Sequence, residues 1–235
     1  MPRVWDDRAL EEITPSRRTV IAWTAVALAG CAGAAGEGEE ASGQSEEGWS
    51  ALRCRATTRD AVGPYYEPGA PARAVLATAT EPGTRLLLTG KVLGPDCLAP
   101  MVGYVVDVWQ ADDAGTYYMN GAADDYRLRG KVTTNAQGQF QFQTIIPGRY
   151  TNDLGEFRPA HLHVRIRNAT THRAVLTTQL YFKDDPYLGS ADFCTVQGTC
   201  NSSDAARIMT LTAGSVAGVP GQLATITIVL PPHQP

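Results

Sequence analysis

His161-Leu162-His163-Val164-Arg165-Ile166 alternates strictly between polar and apolar side chains. An extended chain turns successive side chains to opposite faces, so Leu162, Val164 and Ile166 share one face and His161, His163 and Arg165 the other. The stretch is therefore predicted to be a strand with its apolar face on a core and two imidazoles side by side on the other.

The same period of two recurs on both sides of it. Leu86, Leu88 and Val92 fall on one side of a strand, and Phe140 and Phe142 alternate with Gln139, Gln141 and Gln143. A turn, Asn135-Ala136-Gln137-Gly138, stands just before the glutamines. Ala224, Ile226, Ile228 and Leu230 alternate with threonines, and residues 101–109 and 175–182 are further strand candidates. With 23 glycines and 15 prolines in 235 residues and no long helical periodicity in the body, the pattern predicts an all-β fold. The expected architecture is a two-sheet β-sandwich whose long loops carry the functional residues, spanning residues 51–235.

Residues 1–31 read as an export signal. Arg17-Arg18 precedes an apolar run, Thr19 to Gly30, that is too short for the roughly 20 residues of a membrane-spanning helix. The paired arginines resemble a twin-arginine signal, and Leu28-Ala29-Gly30-Cys31 resembles a bacterial lipobox, in which Cys31 is lipidated. Residues 32–50, made of Ala, Gly, Ser and Glu, have little to bury and are expected to be a disordered tether. Its reach would be roughly 25 Å. The protein is thus expected in a bacterial cell envelope or periplasm, touching the membrane only through its lipid.

Past the signal, Cys54, Cys97, Cys194 and Cys200 make an even number, which suggests two disulfides in an oxidising compartment. Cys194 and Cys200 flank a short loop and are the easiest pair to close, which leaves Cys54 for Cys97. The rival, a zinc site, lacks Cys-x-x-Cys spacing. The formal charge of −4, with Lys and Arg scattered, provides no basic footprint for nucleic acid.

Two same-face histidines are half of a plausible metal site, but equally a stacked pair at a sheet surface. Tyr117 in Gly115-Thr116-Tyr117 and Tyr150 in Pro147-Gly148-Arg149-Tyr150 each lie just past a candidate strand, where functional residues concentrate. Each alone reads more readily as a rim tyrosine with its hydroxyl in water.

Together with Gly63-Pro64-Tyr65-Tyr66, Val106-Asp107-Val108-Trp109-Gln110-Ala111, Arg129-Gly130, Arg158-Pro159-Ala160-His161-Leu162-His163 and Thr178-Gln179-Leu180-Tyr181-Phe182, these motifs resemble the intradiol ring-cleavage dioxygenases in content and order. They are most similar to the protocatechuate 3,4-dioxygenase type and its short secreted relatives. The resemblance covers roughly residues 54–230. It implies a non-haem iron(III) enzyme that inserts both atoms of O2 into a catechol-type ring, cleaving between the hydroxyls to a muconate-type product. It assigns Tyr117, Tyr150, His161 and His163 as ligands, with Tyr117 and His161 equatorial and Tyr150 and His163 axial. Tyr118 adjoins Tyr117, but the Gly-x-Tyr spacing favours Tyr117.

Charge supports this set. Two phenolates and a hydroxide neutralise iron(III) beside neutral histidines, and a catecholate replacing Tyr150 and the hydroxide keeps the sum at zero. The resemblance further implies that Tyr150 takes a substrate proton, that Arg158 stabilises charge on the ring, and that Gln179 lies in the pocket. Tyr66 and Trp109 are assigned as substrate contacts, with a core position the other reading of Trp109.

Three departures qualify the likeness. Phe157 stands where the family often has Trp, and Thr151-Asn152-Asp153 differs from the ring-contacting residues of protocatechuate enzymes. The helical dimerisation segment of catechol 1,2-dioxygenases has no counterpart, which leaves the oligomeric state open. The competing functional class is an iron-free sandwich lipoprotein that binds a small ligand or sugar.

Overall fold

The computed structural model describes residues 54–119 and 126–232. The strands in chain order are β1 (Arg85–Leu93), β2 (Val105–Trp109), β3 (Arg129–Thr133), β4 (Gln139–Ile145), β5 (Tyr150–Thr151), β6 (Phe157–Arg158), β7 (His161–Arg167), β8 (Ala174–Phe182), β9 (Ile208–Met209), β10 (Thr212–Val216) and β11 (Val219–Val229). A single turn of α-helix, α1 (Phe193–Val196), lies between β8 and β9, with 3-10 turns at Gly189–Ala191 and Ala205–Arg207 on either side of it.

A four-stranded sheet runs β10-β11-β1-β4 and a five-stranded sheet runs β3-β2-β7-β8-β9, with β5 and β6 forming a small hairpin of their own. Leu86, Leu88, Val92, Phe140, Phe142, Ala224, Ile226 and Ile228 of the first sheet share one core cluster with Val106, Val108, Leu162, Val164, Ile166, Leu176 and Leu180 of the second. This is the β-sandwich that the alternation predicts, and the described residues belong to a single compact unit.

The strand expected from Met101 starts only at Val105. The Thr134 hydroxyl donates to the Met101 carbonyl at 2.6 Å and Gly103 N–H donates to the Thr134 carbonyl at 3.1 Å, which turns residues 101–103 around the end of β3. Cys54 is joined to Cys97 and Cys194 to Cys200, with Cα atoms 5.7 and 5.4 Å apart. The export signal, Cys31 and the tether lie outside the described residues.

The decisive feature is the second face of the five-stranded sheet. Trp109 pairs with Arg129 on one side and His163 on the other, His163 pairs with Gln179, and His161 pairs with Tyr181. All six side chains point away from the sandwich core, yet all are buried. Loops cover this face, so it is a second interior in which polar groups replace aliphatic ones.

Candidate metal centre

Two loops deliver the tyrosines. Asp112 shapes the first, its Oδ1 accepting from the Ala114 and Thr116 amides at 3.0 and 2.8 Å and its Oδ2 from the Tyr118 hydroxyl at 2.7 Å. The second docks on it, with Gly148 N–H donating to the Asp112 carbonyl at 2.7 Å. Gly115 and Gly148 meet backbone to backbone at this point. A Cβ on Gly115 would run into Arg149, one on Gly148 into Asp113, and Gly115 also has a φ of +83°. The glycines in the two Gly-x-Tyr segments are what bring Tyr117 and Tyr150 within 5.8 Å, ring centre to ring centre.

The histidines come from β7, and the four rings converge. His161 and His163 lie 4.9 Å apart, Tyr150 and His161 5.7 Å, and Tyr117 and His163 6.0 Å. His161 Nδ1 is 2.7 Å from the Pro159 carbonyl, which can only accept, so Nδ1 carries the proton. Its Nε2 lone pair faces the Tyr117 hydroxyl at 3.3 Å. Neither ring nitrogen of His163 has a well-formed hydrogen bond, although the Ala61 backbone acts weakly on that ring. Trp109 stacks on His163 at 4.8 Å and 7°.

Burial governs the protonation of the cluster. It pulls His161 down to about 3, with the Arg158 cation adding to the effect. It pulls His163 well below the usual imidazole range, aided by His161 and Arg158. Burial raises Tyr117 far above the ordinary phenol range and raises Tyr150 as well, each opposed by Arg158. The cluster at neutral pH is therefore two uncharged imidazoles and two phenols that a cation would have to ionise. No group of three or more His, Cys, Asp or Glu suited to a metal occurs among the described residues, so any metal here must use the tyrosines.

Arg158 is buried beside the cluster. Its Nη2 donates to Gln179 Oε1 at 2.7 Å, and its Nε lies 2.9 Å from Asp192. Burial weakens its cation, but Tyr150, Tyr181 and Asp192 outweigh that and hold its pKa above the usual value. Gln179 Oε1 accepts from Arg158 and lies 3.0 Å from the Tyr181 hydroxyl, and one Nε2 hydrogen goes to the Ala61 carbonyl at 2.8 Å.

The structure does not bring Tyr66 to the cluster. Tyr66 sits behind Trp109, its hydroxyl tied to Asp107 and Arg167. Its neighbour Tyr65 stacks on Tyr117 at 4.2 Å instead, a role that nothing in Gly-Pro-Tyr-Tyr distinguishes. Trp109 is buried, as its core reading has it, but on the face away from the inter-sheet cluster, where it is pressed on His163. Sequence reasoning assigned no role to three residues that hold the frame, although Arg129 stands in one of the quoted motifs. Arg129 donates to the carbonyls of Tyr65 and Tyr118 at 2.6 and 2.8 Å, bridging the loops beside Tyr117. Asp185 accepts from Arg149 at 2.9 Å and from the Ala160 amide at 3.1 Å, tying the chain before Tyr150 to the chain before His161. Asp192 is the third.

Residues 61–215 match the sequence model of the Dioxygenase family, about two thirds of the chain. The chain belongs to the intradiol ring-cleavage dioxygenases. Among curated proteins it is similar to catechol 1,2-dioxygenase 2 of Acinetobacter lwoffii, 34% identical over 71% of this chain and 70% of that one. It is also similar to chlorocatechol 1,2-dioxygenase of Rhodococcus opacus, 37% identical over 56% and 58% of the two chains. Against several other curated relatives it spans about half their length, as with the 48% of catechol 1,2-dioxygenase 1 of A. lwoffii. A protocatechuate 3,4-dioxygenase beta chain matches over a shorter stretch, 45% of this chain. Among solved structures, the dioxygenase domain of a dioxygenase–carbohydrate-binding protein fusion from Streptomyces sp. SirexAA-E is 35% identical, with a TM-score of 0.59. The match covers 75% of this chain and 98% of that domain. The 3-chlorocatechol 1,2-dioxygenase of R. opacus 1CP has a TM-score of 0.63 at 30% identity, over 78% and 76% of the two chains.

Proposed function

We propose that Tyr117, Tyr150, His161 and His163 hold a non-haem iron(III), and that the protein cleaves a catechol-type ring between its two hydroxyls, adding both atoms of O2 to form a muconate-type product. The observation that carries this reading is the convergence of two phenols and two neutral imidazoles in a covered space, with neither nitrogen of His163 in a well-formed hydrogen bond. Buried polar atoms without partners are costly, and a metal ion would satisfy them.

The donor set fits a trivalent ion. Two phenolates and one hydroxide balance +3, whereas a divalent ion would leave surplus negative charge in a poorly solvated site. The chemistry that bound iron(III) supplies is withdrawal of electron density from a catecholate, which opens a ring carbon to O2.

The chain's own groups do the rest. Tyr150, on the short hairpin, accepts a substrate proton at Oη in this reading; positioned bases of this kind contribute about 10²–10⁴-fold. Arg158 presents a buried positive charge beside Tyr150 and lowers the cost of negative charge building on the ring. Gln179 Oε1 is taken up by Arg158 and one Nε2 hydrogen by the Ala61 carbonyl, so its main part is to aim Arg158. The substrate is a small aromatic diol. The reading extends to export through Arg17-Arg18 and lipid anchoring at Cys31, which place the reaction in the cell envelope.

The test is oxygen uptake by iron-loaded protein with catechol, chlorocatechol, hydroxyquinol and protocatechuate, with product spectra recorded alongside. The expected result is uptake matched by muconate absorbance for at least one of them. A yellow semialdehyde from cleavage outside the diol, or no uptake with any of the four, would contradict the proposal.

A further inference from the structure

Arg158 is gripped from two sides that differ in kind. Gln179 and Tyr181 belong to β8, an inner strand of the five-stranded sheet; Nη2 donates to Gln179 Oε1 at 2.7 Å and lies 3.4 Å from the Tyr181 hydroxyl. The other grip, Asp192, comes from the loop between β8 and β9, and its side chain is fully buried. The two ions are 2.9 Å apart, Nε to Oδ1, with 5% and 0% of their side chains exposed, a charge contact rather than an aligned hydrogen bond.

Asp192 is also the N-cap of α1. Its Oδ1 accepts from the Cys194 amide at 3.1 Å and its Oδ2 from the Thr195 hydroxyl at 3.0 Å. The turn it caps is closed by the Cys194–Cys200 bond and by the Ser202 amide donating to Thr195 Oγ1 at 2.9 Å. Capping needs neither charge nor full burial, since Asn, Ser and Thr cap as well. A carboxylate at this depth is tolerated only where a cation meets it, and Arg158 is that cation.

We infer that Asp192 is a positioning residue for ring cleavage: its carboxylate fixes the direction of the Arg158 guanidinium, while the disulfide-closed turn fixes the carboxylate. The inference rests on the catechol-cleavage reading, because it gives Arg158 a reacting partner. Without Asp192, Arg158 would keep its contacts to Gln179, Tyr181 and Tyr150 but lose the anion that meets its Nε, and could swing about the rest.

Asp192→Asn is the informative change, since it keeps the cap and removes the charge. In metal-free protein, the Arg158 Nε–H resonance, identified by its absence in Arg158→Lys, is expected to exchange slowly with water. In Asp192→Asn its exchange should be at least about tenfold faster. In iron-loaded protein, kcat should fall at least about tenfold with KM for catechol within roughly threefold, and the visible absorption should not move. In an Arg158→Lys background the same substitution should change kcat less than about twofold, because the partner it positions is gone. Asp192→Ser, which caps but cannot reach Arg158, should repeat the pattern. Equal losses of kcat in both backgrounds, or unchanged Nε–H exchange, would overturn the inference. If wild-type protein cleaves no catechol, the catalytic reading fails on its own, and the exchange measurement still decides whether Asp192 holds Arg158.

Discussion

Alanine at Gly115, Gly148 and Gly218 separates two reasons for a glycine, and only one of them concerns the metal centre. Gly218, in the turn between β10 and β11, has a φ of +83° and nothing within 4 Å of where a Cβ would stand. Gly218→Ala thus pays backbone strain alone, about 1–2 kcal/mol, partly offset by a stiffer unfolded chain. Gly148 lacks the positive φ, but its Cβ would collide with the Asp113 backbone, so Gly148→Ala carries overpacking of typically 1–3 kcal/mol. Gly115 carries both burdens, and its collision is with Arg149, one residue from Tyr150. Summed, Gly115→Ala should cost about 3 kcal/mol, or roughly 6–12 °C in Tm for a domain of this size, against about 2–4 °C for Gly218→Ala. The assay is thermal unfolding of metal-free protein together with iron per chain after loading. Gly115→Ala and Gly148→Ala should both lose iron, because the collision drives the loops of Tyr117 and Tyr150 apart, whereas Gly218→Ala should bind it fully. A Gly115→Ala protein no less stable than Gly218→Ala, and still loaded with iron, would refute the claim that these glycines assemble the site.

Removing Cys54–Cys97, which spans 43 residues, should cost about 4 kcal/mol in the chain-entropy model, against about 2 kcal/mol for Cys194–Cys200, which spans 6. Denaturant unfolding of the paired Cys→Ser variants measures both, and a reversed order counts against the model. Burial holds His161 at about 3 in the fold, against about 6.5 in an unfolded chain, so the folded state takes up fewer protons as pH falls. Metal-free protein should keep this contribution above pH 6.5 and lose about 2 kcal/mol of it between pH 6.5 and 5, as urea unfolding would show. A stability that stays flat over that interval means His161 is not buried uncharged. In a bacterial host the mature protein should fractionate with membranes, and Cys31→Ser should release it or leave it unprocessed. Soluble cytoplasmic protein retaining residues 1–30 would end the export proposal.

The inner faces of the strands were legible because the sandwich core has one chemical requirement, apolarity, and strands write that as alternation. Leu162, Val164 and Ile166 went inward as their spacing required. The opposite face was legible only in part, since alternation marks Trp109, Gln179 and Arg129 as facing away from the core but not as buried. What buries them is loop cover, which depends on long-range contacts such as the hydrogen bonds of Arg129 to Tyr65 and Tyr118. The same limit explains the tyrosines of Gly-Pro-Tyr-Tyr. Tyr65 and Tyr66 are chemically identical neighbours, and only the path of the loop sends one to Tyr117 and the other behind Trp109. Asp192 carried no local signal at all. A lone Asp before Phe-Cys-Thr-Val reads as a helix cap, and its second partner, Arg158, is far away along the chain.

The central claim is most directly tested by iron per chain and the visible spectrum in wild-type protein, Tyr117→Phe and Tyr150→Phe. Tyrosinate-to-iron(III) charge transfer absorbs visible light, so the wild-type protein should be coloured and carry stoichiometric iron. Tyr117→Phe removes a phenolate needed in every state, leaves the site with uncompensated positive charge, and should lose most of its iron. Tyr150→Phe should retain iron, because a hydroxide can supply the missing charge, and should show an altered spectrum with slowed substrate deprotonation. A colourless, iron-free Tyr150→Phe beside an active Tyr117→Phe would reverse the two roles. Iron content and colour unchanged in both variants would contradict the ligand set itself.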